Sequence, residues 1–314
     1  MTAIIQTRDL THRYGDLVAV RDLALEVREG EIFGFLGPNG AGKTTTIRMM
    51  LDFIRPDAGR ILIFGMDARA RSHEIRARVG YLPSELTLWD NWTGTAYLRW
   101  LEDMRRQPLM EEAQRLAARL DFDLSRSLSG MSTGMKRKIG LIAALAHKPE
   151  LLILDEPSNG LDPLMQRVFH ELMMEARAEG RTVFLSSHML TEVEQICDRV
   201  GIIRGGELQA IETVTHLTRS TFRWLTVTMN GDARRNGFDR VRGVSDIRIE
   251  GADVHMKVSG EADMNDVVQA IAQHDISDMQ FTRPTLEEIF LAFYGDDPQQ
   301  AAHPEPDAPV LEEV

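Results

Sequence analysis

The 314-residue chain is 43% hydrophobic and 27% charged, the balance of a soluble globular protein long enough for about two domains. Its net charge of −12 disfavours bulk binding to nucleic acid, although six of those charges (Asp296, Asp297, Glu305, Asp307, Glu312 and Glu313) sit in the final twenty residues, which hold no lysine or arginine. A single cysteine, Cys197, excludes an internal disulfide, no Cys/His spacing suggests zinc, and the longest apolar stretch, Ile139 to Ala146, is far short of a membrane span.

The N-terminal residues lack a basic region followed by a long apolar core, so no secretory signal is expected. Residues 4–30 read as short strands and turns. Glu31-Ile32-Phe33-Gly34-Phe35-Leu36 reads as a buried strand, and Thr44 to Leu51 as a helix with Ile47, Met50 and Leu51 on one face. A turn at Pro56-Asp57-Ala58-Gly59 precedes the strand Ile61-Leu62-Ile63-Phe64-Gly65, and Val79-Gly80-Tyr81-Leu82-Pro83 resembles the end of a core strand. The basic cluster Arg69, Arg71, Arg76 and Arg78 reads as a solvated face; a second basic run is Lys136, Arg137 and Lys138.

From about Glu85 to Thr133 the texture is helical. Leu98, Leu101, Leu116 and Leu120 dominate it with Trp89, Trp92 and Trp100, tryptophans that fit either core packing or a partner groove. Leu151-Leu152-Ile153-Leu154 is too apolar for a half-exposed position and is expected at the centre of a parallel sheet. Thr182-Val183-Phe184-Leu185-Ser186-Ser187 and Val200-Gly201-Ile202-Ile203 are further strands, with a helix from Pro163 to Glu179 before them. Strands alternating with helices predict an α/β sheet.

Past residue 222 the period changes. Leu225, Val227 and Met229 alternate with Thr226 and Thr228; Ile247 and Ile249 precede a Glu250-Gly251 turn; Val254, Met256 and Val258 alternate after it. Met264, Val267, Val268 and Ile271 have helical spacing, Met279-Gln280-Phe281 follows, and Thr285 and Glu288 form a capping box opening a last helix. This predicts a small α+β unit over 223–294, ferredoxin-like in plan, and a Pro-containing acidic tail over 295–314 that would be disordered.

Two segments carry chemistry. Gly37-Pro38-Asn39-Gly40-Ala41-Gly42-Lys43-Thr44 fits the P-loop pattern and has the strand before it and the helix after it that the pattern needs. Its glycines let backbone N–H groups approach a phosphate, the helix start adds a positive dipole end, Lys43 can reach the outer phosphates and Thr44 can ligate magnesium. Asp155 and Glu156 end the apolar 151–154 strand. One carboxylate there can hold Mg2+ and the other can polarise an attacking water.

With these motifs in place, residues 3–220 resemble the nucleotide-binding subunits of ABC transporters. Residues 37–44 look like the Walker A loop, with Thr45 following it. Leu151 to Pro157 look like Walker B with the catalytic glutamate, and Ser158-Asn159-Gly160-Leu161-Asp162-Pro163 looks like the D-loop. Ser187-His188 looks like the switch histidine, Met131-Ser132-Thr133-Gly134-Met135-Lys136 stands in the signature position, and Tyr14 matches the aromatic that stacks on adenine. Two departures stand out. The signature keeps Ser132 and Gly134 but has Thr133 and Met135, and Ser84, followed by Glu85, occupies the place of the Q-loop glutamine. Either Glu85 substitutes for that glutamine or the metal contact is lost there.

The resemblance implies a P-loop NTPase fold over 1–222 with an antiparallel β subdomain and a helical insert over about 85–135. It implies ATP and Mg2+ as ligands, Glu156 and His188 as catalytic groups, and an ATP-sandwiched homodimer in which Ser132 to Met135 of one copy face nucleotide bound by the other, with Asp162 at the seam. It also implies a separate integral membrane permease and a peripheral place on the cytoplasmic face of the cell membrane. Pro284-Thr285-Leu286-Glu287-Glu288-Ile289-Phe290 and Asn91-Trp92-Thr93-Gly94 look like the drug- and antibiotic-export branch. A soluble relative acting on ribosomes or DNA is the competing expectation. The chain has neither the paired nucleotide domains nor the long coiled coils of such relatives.

Overall fold

The structure, a computed structural model, describes residues 2–89, 91–215, 222–231, 237–260 and 262–282. The expected capping-box helix from Thr285 and the tail over 295–314 lie outside them. The chain divides into two compact units, Met1–Leu217 and Thr218–Val314.

The first unit opens with two twelve-residue strands, β1 (Ala3–Tyr14) and β2 (Leu17–Arg28), paired as an antiparallel hairpin. The short strands and turns expected over 4–30 are thus one continuous hairpin. Its alternation is broken by register shifts between Thr7 and Leu10 and between Leu10 and His12, with Asp9 and Asp22 in the left-handed region. β4 (Ala58–Ile63) pairs with β1 and β5 (Met66–Asp67) with β4, giving the sheet β2-β1-β4-β5. β4 begins inside the segment expected as a turn.

The second sheet has the order β10-β9-β3-β8-β7-β6. Its strands are β3 (Ile32–Leu36), β6 (Val79–Leu82), β7 (Leu151–Asp155), β8 (Thr182–Ser187), β9 (Arg199–Arg204) and β10 (Glu207–Thr213); all neighbours are parallel except β9 and β10. Every residue of β3, β7 and β8 is buried, as helices on both faces of a parallel sheet demand. β7 is not central, however. It lies one strand from the β6 edge, because an apolar run reports cover on both faces and not position in the strand order. α1 (Lys43–Met50) packs on β7, α6 (Pro163–Ala178) on β8, α7 (Leu190–Ile196) on β3 and α5 (Thr133–Leu145) on β6. Ile47 and Met50 of α1 join Phe33, Phe35 and Phe184 in one fully buried cluster, where each such side chain contributes about 1.5–3 kcal/mol.

Between β6 and β7 lie α3 (Gly94–Arg105), capped by Thr93, α4 (Met110–Arg119) and α5; the short α2 (Ser72–Ala77) precedes β6. Leu98, Leu116 and Leu120 are buried there, but the tryptophans are not core residues: Trp89 is 51% exposed. It packs against Trp92 and Trp100 with ring centroids 4.8 and 5.0 Å away.

The second unit is an antiparallel sheet, β12-β13-β11-β14, built from β11 (Phe222–Met229), β12 (Val244–Glu250), β13 (Asp253–Ser259) and β14 (Ile276–Thr282). With α8 (Met264–Ile271) crossing from β13 to β14, this is the strand order of a ferredoxin-like split βαβ. Leu225, Val227, Val254, Met256 and Val258 face Val267 and Ile271 in its core.

Candidate active site

Parallel register assembles the site. β3 aligns Leu36 with Ser187 of β8, and β8 aligns Ser186 with Asp155 of β7, so the loops after β3, β7 and β8 leave the same edge of the sheet side by side. The first loop, Gly37 to Gly42, runs into α1, whose first residue is Lys43. Pro38, Asn39 and Gly40 are exposed, and Ala41 is buried. Gly42 has φ +104° and lies so close to β2 that a Cβ there would stand 2.4 Å from the Ala19 carbonyl oxygen; only glycine fits. No acidic residue occupies the first turn of α1, so its free N–H groups and positive end face the loop uncompensated.

Lys43 is buried, and its ammonium donates to the carbonyls of Gly37 (2.5 Å) and Pro38 (3.2 Å). It also lies 3.1 Å from Glu156 Oε1. The other Glu156 oxygen, Oε2, is 2.7 Å from His188 Nδ1. One carboxylate therefore bridges the P-loop lysine and the histidine after β8. Glu156 itself has φ +50°, unusual for a non-glycine residue, and its N–H donates to Ser186 Oγ at 3.0 Å. Ser186 in turn donates to Asp155 Oδ1 at 2.5 Å, and Thr44 Oγ1 donates to Asp155 Oδ2 at 2.8 Å. Asp155 and Ser186 are fully buried. Thr44 and Asp155 thus present a hydroxyl and a carboxylate side by side. Such hard oxygens fit Mg2+ held jointly with substrate phosphates, and no cluster of three acidic, His or Cys ligands exists among the described residues to form an all-protein cage.

The remaining expected residues lie around this centre. Thr45, partly exposed, follows Thr44 on the first turn of α1, and Tyr14, 46% exposed at the end of β1, meets His12 edge-on at 4.6 Å. Ser132 caps α5, accepting from the Met135 N–H at 3.3 Å; Ser132 and Thr133 are exposed, and Gly134 and Met135 half-buried. Asp162 is exposed and caps α6 through the Met165 N–H at 3.0 Å. Glu85 is exposed, and no hydrogen bond or ion pair ties it to Lys43, Asp155, Glu156 or His188 among the described residues.

Comparison with known proteins gives this geometry a family. The sequence profile described as "ABC transporter" matches residues 20–159, which hold the P-loop, Asp155 and Glu156. The bacitracin transport ATP-binding protein BcrA of Bacillus licheniformis is 40% identical over 72% of this chain and 74% of its own length. This chain belongs to the ABC transporter family. The linearmycin resistance ATP-binding protein LnrL of Bacillus subtilis is 32% identical over 93% of this chain and 98% of its own. A solved ATP-binding subunit of an ABC transporter superposes with a TM-score of 0.63 at 31% identity, covering 69% of this chain and 92% of that one. As an ABC transporter ATP-binding subunit, the chain is an ATPase coupled to transport, and the α/β cassette architecture expected from the motifs is the one observed.

Three buried polar residues of this ABC cassette escape a motif reading. Ser186 joins Asp155 to Glu156 as described; its signal was only a serine pair at a strand end. Glu192, buried on α7, accepts from Ser187 Oγ at 2.7 Å, and burial pushes its carboxyl above the usual range. Arg137 is buried within the second basic run. Burial lowers its pKa, with Asp155 and Glu156 opposing that shift.

Proposed function

We propose that the chain binds ATP with Mg2+ and hydrolyses it as the motor of an export system whose membrane channel is a separate permease. The observation that carries this reading is the single Glu156 carboxylate held between Lys43 at 3.1 Å and His188 at 2.7 Å, beside the Thr44–Asp155 pair. Lys43 and the loop N–H groups bind the phosphates, and Tyr14 offers its exposed ring to adenine. Thr44 and Asp155 would hold Mg2+, which would supply neutralisation of phosphate charge. Glu156 accepts the proton of the attacking water, and His188 orients that carboxylate and contacts the γ-phosphate side. The exposed Ser132 and the Gly134 N–H, at a helix start with no acidic residue in its first turn, offer an anion site to nucleotide carried by a second copy. Asp162 would lie at the seam of that dimer.

None of the described helices is long and apolar enough to cross a membrane, which supports a permease carried by another chain. A cavity of about 240 Å³ between the end of α1, β6 and α3 offers room for side chains of a cytoplasmic helix of that permease. Phe53, Tyr81, Tyr97 and Leu101 give it apolar walls, Arg76 and Arg105 line it, and the half-exposed tryptophan cluster sits on the same helical insert. The subunit would then work peripherally, at the cytoplasmic face of the membrane. Bacitracin transport and linearmycin resistance in the relatives support antibiotic-like cargo.

Gentle solubilisation and affinity capture of this subunit is expected to bring down a polytopic membrane protein that stimulates its ATPase. Recovery with ribosomes and no membrane partner would overturn the reading. Glu156→Gln is expected to bind ATP and lose about 10²–10⁴-fold in turnover, as removal of a general base does; turnover at the parent rate removes Glu156 from the base role.

A further inference from the structure

One face of α5 lies against the catalytic edge of its own subunit at three successive turns. At Gly134 a Cβ would stand 2.4 Å from the Gly160 carbonyl oxygen, and at Gly140 it would stand 2.5 Å from Leu82 Cδ1. Between them, three residues from each and so on the same helical face, is Arg137. The residue is 4% exposed. Nη1 donates to the Pro83 carbonyl at 2.7 Å and Nη2 to the Ser84 carbonyl at 2.7 Å. Nε points to the Asn159 carbonyl at 3.4 Å, and Nη1 also lies 3.5 Å from the Asp155 carbonyl. Among the described residues Arg137 forms no ion pair; main-chain carbonyls are its acceptors.

We infer that Arg137 is a positioning residue that locks the helix bearing Ser132 and Gly134 to the 83–84 loop and to the main chain on both sides of Glu156. The argument is one of cost and geometry. Burying a cation with no carboxylate in ion-pair contact is unfavourable, and the fields of Asp155 and Glu156 offset only part of that cost, so the fork of donors is satisfied by the main chain it holds in place. What it holds is specific. Pro83 and Ser84 follow β6, Asp155 precedes Glu156, and Asn159 ends the turn whose N–H donates back to the Glu156 carbonyl at 3.2 Å. A shift of α5 therefore moves the loop after β6 and the backbone carrying Glu156 together. The nucleotide-binding loop and Tyr14 stand outside this set, so Arg137 governs turnover and leaves nucleotide capture alone. Ser84 takes part through its carbonyl, and the shortness of its side chain costs this linkage nothing.

The inference rests on the reading of Glu156 as general base, and the test separates the two. Full-length parent, Arg137→Met, Arg137→Lys and Glu156→Gln are compared for ATP-saturated turnover, for direct binding of a fluorescent ATP analogue, and for melting with and without Mg2+ and ATP. Arg137→Met is expected to bind nucleotide with near-parent affinity, to melt cooperatively at a higher temperature when ATP is added, and to turn over about 10²-fold more slowly. Arg137→Lys keeps the charge and loses the fork, and is expected to recover part of the rate. Parent-like turnover in Arg137→Met overturns the inference. So does loss of a cooperative transition in both Arg137 variants, or a fall in affinity that accounts for the fall in rate. Parent-like turnover in Glu156→Gln instead defeats the base assignment, whatever the Arg137 variants do.

Discussion

Replacing Ser186 with alanine removes one hydroxyl and with it the bonds to one Asp155 oxygen and to the Glu156 N–H. The hydroxyl donates to Asp155 Oδ1 at 2.5 Å and accepts from the Glu156 N–H at 3.0 Å, in a position with no solvent exposure. A buried amide left unsatisfied costs about 1–3 kcal/mol and a bond to a charged group is worth about 1.5–3 kcal/mol. Asp155 keeps its Thr44 contact on the other oxygen, so the total is expected near 3–5 kcal/mol. For a domain of this size each kcal/mol moves the melting midpoint by roughly 2–4 °C. Calorimetry of Ser186→Ala without nucleotide should therefore show a drop of the order of 10 °C. The Glu156 backbone, held at φ +50°, loses its anchor at the same time, so turnover at saturating ATP should fall by about tenfold or more. A variant that melts within about 2 °C of the parent and turns over at its rate would refute the bridging role.

Two further changes test the frame around the site. Gly42→Ala drives a Cβ to 2.4 Å from the Ala19 carbonyl at φ +104°, and should cost about 3 kcal/mol or more in urea unfolding while weakening ATP binding; an unchanged midpoint would show that β2 does not confine the loop. His147, near the Val79 carbonyl, has its pKa pushed down to about 4, chiefly by burial. The unfolded chain takes up its proton near pH 6.5 and the folded chain only near 4, so this residue's contribution to stability is present above pH 6.5 and is lost as pH falls to 4. The buried Glu192 and Glu31 carboxyls, raised by burial, have the opposite slope, so the test is a difference. The stability gap between parent and His147→Gln should shift by roughly 1–3 kcal/mol between pH 7 and 4 in favour of the glutamine variant; parallel curves would refute it.

Elements whose burial pattern has a clean period were legible in the sequence. β3, β7 and β8 are buried throughout around apolar centres, and β11, β13 and α8 keep their periods into the observed cores. The β1–β2 hairpin was not, because its shifted register near Asp9 and Asp22 interrupts the two-residue period. Nor was the exposure of Trp89, since three indoles that pack on one another satisfy much of their apolar surface without entering the core. At the site, the P-loop and the Asp155–Glu156 pair stand out by residue type at fixed spacing, and the structure brings them together. Ser186 bonds the Asp155 carboxylate and the Glu156 N–H, and Arg137 bonds main-chain carbonyls, all on other elements, which the linear order does not reveal. Helical phase was the available clue for Arg137, whose neighbours in charge, Lys136 and Lys138, lie on other faces of α5 and are half-buried.

The two departures from the family pattern acquire a common physical reading through Arg137. A glutamine in the 84 position would act with its side chain, but the contact seen at Ser84 is made by its carbonyl, at 2.7 Å from the guanidinium. Side-chain identity there is free to change while the loop's attachment to α5 is kept. In the signature segment, Thr133 lies over Gly160, where a Cβ would come within 3.3 Å of the threonine methyl, and Gly134 has room for no side chain against the Gly160 carbonyl. The segment is therefore held from behind by its own subunit, through Gly134 and Arg137, while Ser132 and Thr133 stay exposed in front. Such a helix tip is positioned before any partner arrives. A change at 133 then alters the exposed chemistry of the tip without altering where the tip is held, which is how a weakly matching motif can keep its place on the helix.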